Sequence, residues 1–180
     1  AIMVLETLVY IDNIRGRGAF VRHPPEPFKV RGRRYTRDEI AEASLLTHEV
    51  RLIVETRCAY LAAQRAGKND ITDLEMVLQK LTSALRTGDT PTAVLADIAF
   101  HNIVTRSTKN SALLTLIATM EPIITENRRN TIQSFDSEEL VIPHLKIYEA
   151  IKRKDPDGAA SAMEQHLKEL MGYLFRKEVA

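Results

Sequence analysis

Cysteine occurs once in the 180 residues, at Cys58, which excludes an internal disulfide and any metal site built from several thiolates. That scarcity points to a cytoplasmic protein. No apolar run approaches the ~18 residues that a membrane span needs. The opening stretch AIMVLETLVYIDNI lacks a basic leader and carries Glu6 and Asp12 early, so it does not resemble a signal peptide. It also lacks an initiator methionine, as expected of the remainder of a longer protein. Net charge is nearly absent: 25 Lys and Arg against 24 Asp and Glu leave +1.

That balance conceals an asymmetry. Residues 14–37 carry Arg15, Arg17, Arg22, Lys29, Arg31, Arg33, Arg34 and Arg37 against the single acid Glu26, a local charge of +7, so the remainder carries −6. A basic head on a mildly acidic body suggests a polyanion near one end only. The remaining composition, 44% hydrophobic and 27% charged, is that of an ordinary soluble globular chain rather than a disordered one.

Residues 8–12 (LVYID) and 19–22 (AFVR) have strand character and flank Arg15-Gly16-Arg17-Gly18, a tight basic turn, so a small hairpin is expected. Prolines at 24, 25 and 27 exclude helix from the segment after it and make 23–37 a linker. From Thr36 onward the pattern is helical throughout. Thr36 and Glu39 fit a capping box, and apolar residues at 40, 45, 46, 50, 53, 54, 58, 61 and 62 continue a helical period to Ala66. Further helices are expected from Asp70 or Thr72 to Leu85, from Thr90-Pro91 to Thr105, and from Asn110 to Arg129 with Pro122 as the candidate kink. Residues 131–137 are expected as a loop. A fifth helix covers 138–153, with Pro143 pushing its start toward 141, and Asp155-Pro156 opens a sixth that ends near Lys177. Short connections between long helices predict an antiparallel all-α bundle of about six helices over 38–178.

Three histidines fall in the second half of this bundle. Asp97 and His101 are four residues apart and share one face of their helix, His144 opens the fifth helix, and His166 lies in the sixth. One carboxylate and three imidazoles suit zinc, nickel or manganese. The plainer alternative is that Asp97 caps or pairs locally and the histidines are packing residues, because spacing alone does not bring three helices together.

The segments RLIVETRCAYLAAQRA (51–66), ADIAFHNIVTRSTKNSAL (96–113) and HLKIYEAIKRKDPDGAASAMEQHLKEL (144–170) resemble the ligand-binding domain of GntR-type bacterial transcription regulators, in their FadR-like branch. Metal-binding members of that branch use an aspartate and three histidines. The resemblance places these on Asp97, His101, His144 and His166, at spacings of 4, 43 and 22 residues. It further implies that residues 1–22 are the tail of a winged helix-turn-helix domain, with residues 1–7 the end of its recognition helix and Arg15, Gly16, Arg17 and Gly18 the DNA-contacting wing. A small organic acid would complete the metal's coordination. Arg51 is the first candidate to clamp it, with Asn110 and Arg128 as further effector contacts, although Asn110 also reads as a helix N-cap. Glu55 matches a recurrent acid that could pair with a neighbouring basic group.

The resemblance implies a homodimer that binds DNA as a full-length protein, whereas this stretch alone is not expected to bind DNA specifically. No enzymatic activity and no membrane association are implied. One alternative is a metal-free regulator with an apolar effector, which would not need the complete Asp/His/His/His set. Another is a metal-dependent hydrolase or lyase, for which Glu169, one turn from His166, is the available base.

Overall fold

The computed structural model describes residues 11–14, 18–21, 37–132 and 136–178. The chain divides into two compact units, Ala1–Ile40 and Ala41–Ala180. In the first, strands β1 (Ile11–Ile14) and β2 (Gly18–Val21) pair antiparallel, with Ile11 opposite Val21 and Ile14 opposite Gly18. Both strands fall in the stretch where a hairpin is expected, and residues 8–10 of its first expected strand lie outside the described residues. Residues 15–17 of the turn, residues 1–10 and the linker residues 23–36 lie outside the described residues.

Six helices make up the rest of the described residues: α1 (Arg37–Arg65), α2 (Lys68–Thr87), α3 (Thr90–Ser107), α4 (Ser111–Ile132), α5 (Ser137–Lys152) and α6 (Pro156–Glu178). Helix α2 packs on α3 and α5, α3 on α4, and α5 on α6. Turns of two or three residues join most of them, which forces sequential neighbours to run antiparallel. Several ends differ from the sequence expectation. Helix α2 starts at Lys68, before Asp70, because the Asp70 carboxylate reaches back to accept the Gly67 N–H at 2.8 Å. Asp89, not Thr90, caps α3 by accepting the Thr92 N–H at 3.2 Å. Helix α4 runs to Ile132, into the segment expected as loop. Helix α5 begins at Ser137 and carries Pro143 in its interior, since Asp136 and Glu139 cap its start more strongly than Pro143 disfavours the turn before it.

The turn between α2 and α3 needs a glycine. Gly88 sits at φ 71°, the left-handed region, and Asp89 N–H closes onto the Ala84 carbonyl at 2.9 Å. The α1–α2 corner ties down two other turns. Arg65 Nη1 donates to Thr108 O at 2.8 Å, Lys109 Nζ meets Asp70 Oδ2 at 2.6 Å, and Lys154 Nζ donates to the Ala66 carbonyl.

Away from that corner the core is built on small residues of α1. Cys58, Ala59, Ala62 and Ala63 are fully buried against Leu74, Phe100, Ile147 and Met163. Alanines on this face let neighbouring helices approach closely, so large side chains from the other helices fill the interior. Cys58 is sealed there, and burial pushes its thiol up to about 11, which leaves it an inert packing residue.

Residues 46–55 of α1 invert the usual pattern. Their apolar stripe faces outward, with Leu46 55% and Ile53 73% exposed and Val50 beside them, whereas Thr47, His48, Arg51 and Glu55 are buried. A soluble helix buries such a polar stripe only where every group has a partner.

Asn110 is the N-cap of α4, its Oδ1 accepting from Ala112 N at 3.0 Å and Leu113 N at 3.4 Å. Replacing it with alanine is expected to lower unfolding free energy by about 1 kcal/mol in chemical denaturation. Because this cap lies about 10 Å along the helix axis beyond His101, metal affinity should stay unchanged. A change in metal affinity would instead place Asn110 at the site.

Candidate metal centre

The buried polar stripe of α1 leads directly to the three histidines. His48 Nε2–H donates to the Leu167 carbonyl on α6 at 2.7 Å. Four residues after Arg51 comes Glu55, and the pair lock side by side, Nε to Oε1 at 2.6 Å and Nη2 to Oε2 at 3.5 Å. Glu55 Oε2 also meets His101 Nδ1 at 2.6 Å. Glu55 thus joins α1 to α3 through one carboxylate.

Each imidazole is oriented by its own helix and neighbours. An ionised carboxylate only accepts, so His101 carries its proton on Nδ1, toward Glu55, and turns the lone pair of Nε2 the other way. His144 Nδ1 lies 2.7 Å from the Leu140 carbonyl one turn earlier on α5. A carbonyl also only accepts, so the proton is again on Nδ1 and the Nε2 lone pair faces inward. Phe100 packs edge-on against His144 at 4.9 Å between ring centres and walls the site from the core. His166, from α6, stacks on His101 at 5.4 Å and meets His144 at 4.6 Å between ring centres.

Three helices therefore bring three imidazoles together, one ring nitrogen of each lying within 4.8 Å of the others. Nε2 of His101, His144 and His166 are all buried without a hydrogen-bond partner. An unsatisfied buried acceptor costs about 1–3 kcal/mol, so three in one place need a common partner. A water molecule donates only two hydrogen bonds. A divalent cation would take the lone pairs of His101 and His144 together with that of His166 in its Nδ1–H form, and Glu55 and the Leu140 carbonyl supply the outer partners that metal-bound histidines require. The donor set fits a first-row metal and does not by itself choose among zinc, nickel and manganese.

Asp97 stands at the edge of this group. Its Oδ1 is 2.9 Å from His144 Nε2, and its Oδ2 is 2.5 Å from Arg128 Nε on α4. Neither contact is an aligned hydrogen bond. Arg128 also donates Nη1 to Glu121 Oε1 at 3.1 Å.

Burial sets the ionisation of these groups. It opposes the charged forms of Asp97 and Glu55, yet Arg128 holds Asp97, and Arg51 and His101 hold Glu55, well below the usual carboxylate range. Burial lowers His101 against the pull of Glu55, and drives His166 well below its usual value with His144 and His101 adding to the effect. The site thus favours neutral His101 and His166 and an ionised carboxylate, the protonation state metal binding requires.

Of the residues singled out in the sequence, the structure brings Asp97, His101, His144, His166, Arg51 and Arg128 into one buried neighbourhood. It gives Asn110 a capping role at the start of α4. Gly18 opens β2, and Arg15, Gly16 and Arg17 lie outside the described residues. Glu169 is exposed on α6 and accepts from Gln165 Nε2 at 2.9 Å, turned away from the buried His166. Sequence reasoning missed the bond from Glu55 to His101 and the buried position of His48. A signal was present for the shared face alone: 48, 51 and 55 are spaced by three and four residues, one face of a helix, and nothing in that spacing points to His101.

Residues 47–169 match the FCD domain family. The gluconate operon transcriptional repressor of Bacillus licheniformis is 24% identical to the chain over 76% of its length. The chain spans 57% of the length of that curated relative. Among solved structures, a GntR protein of Streptococcus agalactiae superposes with a TM-score of 0.69 at 24% identity, over 96% of this chain and 78% of that one. A GntR family transcriptional regulator of Pseudomonas syringae pv. tomato does so at 0.60 and 15% identity, over 97% and 69%.

The geometry makes two outcomes testable. Glu55→Gln should weaken zinc binding by roughly 10–100-fold in a chelator competition, because the amide no longer fixes the His101 tautomer. An unaltered affinity would remove Glu55 from the site. Stability of the metal-free protein should fall with pH from about 6.5 downward. Unfolded histidines take up protons near 6.5, while burial and then Arg51 hold His48 down to about 4, and His101 and His166 also lie below their usual value. The stabilisation is present above the unfolded pKa and is lost as pH drops toward the folded values, with Asp97 and Glu55 adding to the loss in stronger acid. A melting temperature that is flat between pH 7 and 4.5 would contradict neutral buried imidazoles.

Proposed function

Since the chain belongs to the FCD domain family, we propose that it is the sensing part of a GntR-type transcription regulator, in which His101, His144, His166 and Asp97 hold a divalent metal and a small carboxylate effector modulates operator binding. The observation that carries this reading is the convergence of three unpartnered, inward-facing Nε2 atoms from α3, α5 and α6. Zinc, nickel and manganese are the candidate ions. When bound, such an ion supplies Lewis acidity and open coordination positions for carboxylate oxygens. The chain's own residues do the rest. Glu55 and the Leu140 carbonyl hold the imidazole protons outward, Phe100 keeps the site apart from the core, and Arg51 and Arg128 place two cationic side chains where an organic anion would enter.

The same reading assigns the hairpin of β1 and β2 to the wing of a winged helix-turn-helix domain, with Arg15, Gly16, Arg17 and Gly18 at its tip against DNA in the full-length protein. Palindromic operators and a cytoplasmic setting belong to the same reading and rest on the resemblance to GntR-type regulators. The exposed stripe of Leu46, Val50 and Ile53 supports association of two copies, which two-fold operators require. The sensing role, rather than catalysis, is supported by the engagement of both buried acids with arginines and by the outward position of Glu169.

Metal analysis of the purified protein beside a His144→Ala/His166→Ala double variant tests this. The parent should carry close to one ion per chain after incubation with zinc, nickel or manganese, and the double variant none. Absence of metal from both would falsify the reading and leave the histidines as packing residues. In the full-length protein, a bound acid should shift affinity for operator DNA without being consumed. Turnover of the acid would indicate an enzyme instead.

A further inference from the structure

We infer that Arg128 and the metal compete for the Asp97 carboxylate, so that loading the site releases the Arg128 guanidinium and creates the anion-binding position. The inference rests on the metal-and-acid reading above and adds an order of events to it, metal first and acid second.

The argument is one of charge and position. Asp97 has two oxygens and two claimants: Oδ1 lies 2.9 Å from His144 Nε2, an orphaned ring nitrogen of the cluster, and Oδ2 lies 2.5 Å from Arg128 Nε. Two acceptors facing each other at the first contact repel unless a cation or proton lies between them, so Asp97 is already placed where an ion held by His144 would meet it. Among the described residues, buried Arg51 and Arg128 balance buried Glu55 and Asp97 when the imidazoles are neutral. A divalent ion adds two positive charges to that balanced set. Glu121, with a side chain 25% exposed, offsets part of this. The excess falls on the group bound least well.

Arg51 is held by two hydrogen bonds to Glu55. Arg128 has a close but unaligned contact with Asp97 and one hydrogen bond from Nη1 to Glu121. Sharing the Asp97 charge with an ion loosens the first of these and leaves a buried guanidinium with the partly exposed Glu121 as its remaining counter-charge. An incoming carboxylate restores neutrality and takes that guanidinium as its partner. Metal and acid therefore bind with positive coupling, and each must raise the affinity for the other by the same factor.

Competition has a signature that a structural role for Arg128 does not. Arg128→Gln removes the rival cation, so zinc should bind about tenfold more tightly in a chelator competition. Glu121→Gln, at a partly exposed position, removes the charge that shares Arg128, leaves Arg128 more fully on Asp97, and should weaken zinc binding a few-fold. Formate, the smallest carboxylate, should raise the melting temperature of the zinc-loaded parent but not of the zinc-free parent or zinc-loaded Arg128→Gln. Weaker or unchanged zinc binding by Arg128→Gln overturns the inference. Where that variant does not fold, unchanged or tighter binding by Glu121→Gln overturns it. Formate that stabilises the zinc-free parent equally, or none of the three, overturns the released anion position. A parent that binds no zinc fails the metal reading itself, whereas a parent that binds zinc beside variants moving the wrong way fails only the competition.

Discussion

Three imidazole lone pairs turned toward one point repel one another, and much of the bundle serves to keep them there. His101 is held by Glu55, His144 by the carbonyl of Leu140, and the two carboxylates nearest the cluster are each set against an arginine. None of these bonds is a strong net contributor to stability, because each replaces good hydration of a charged or polar group with an interior partner. What they accomplish is orientation. The free energy that tolerates such a site comes from elsewhere, from the packing of the alanine-lined half of α1 against Leu74, Phe100, Ile147 and Met163.

Division of labour along α1 explains how one helix does both. Its later turns offer Cys58, Ala59, Ala62 and Ala63 to a dry core, and its earlier turns offer His48, Arg51 and Glu55 to the site, all on one continuous stripe. A hydrophobic period reads correctly in the later turns and misleads in the earlier ones. There the apolar residues Leu46, Val50 and Ile53 face outward and the charged ones face in. Inversion of this kind is a local sign of a buried polar function on one face and of an interaction surface on the other.

The helices themselves were legible in the sequence, since proline, glycine and capping residues mark most of their ends and connections are too short for other architectures. Where expectation and structure differ, a side chain outweighed a rule of thumb. Asp70 drew the start of α2 back to Lys68, and the capping box of Asp136 and Glu139 started α5 ahead of Pro143. The histidine set was legible as a list but not as a place, because a spacing of 43 residues between His101 and His144 says nothing about which helices are neighbours. Glu55 was harder still. Its role depends on a contact across 46 residues to His101, and no local pattern distinguishes it from a solvated glutamate paired with Arg51.

The position of Glu55 also bears on how occupancy of the site would be felt outside it. Metal on His101 Nε2 strengthens the hold of His101 Nδ1–H on Glu55, because a coordinated imidazole is a better hydrogen-bond donor. Glu55 belongs to α1, and α1 is the helix that the chain enters from its basic segment. A change at the ion would therefore have a path along α1 toward that segment, beginning at the Glu55–His101 hydrogen bond. For such a path to carry regulation, α1 must have two arrangements that the site favours unequally, since a ligand shifts an equilibrium only by its differential affinity for the two states. A helix whose inner face is half charged network and half alanine packing meets the first requirement better than a uniformly apolar one. The charged half is held by individual side-chain pairs such as Arg51 and Glu55, while the alanine half holds the fold in place.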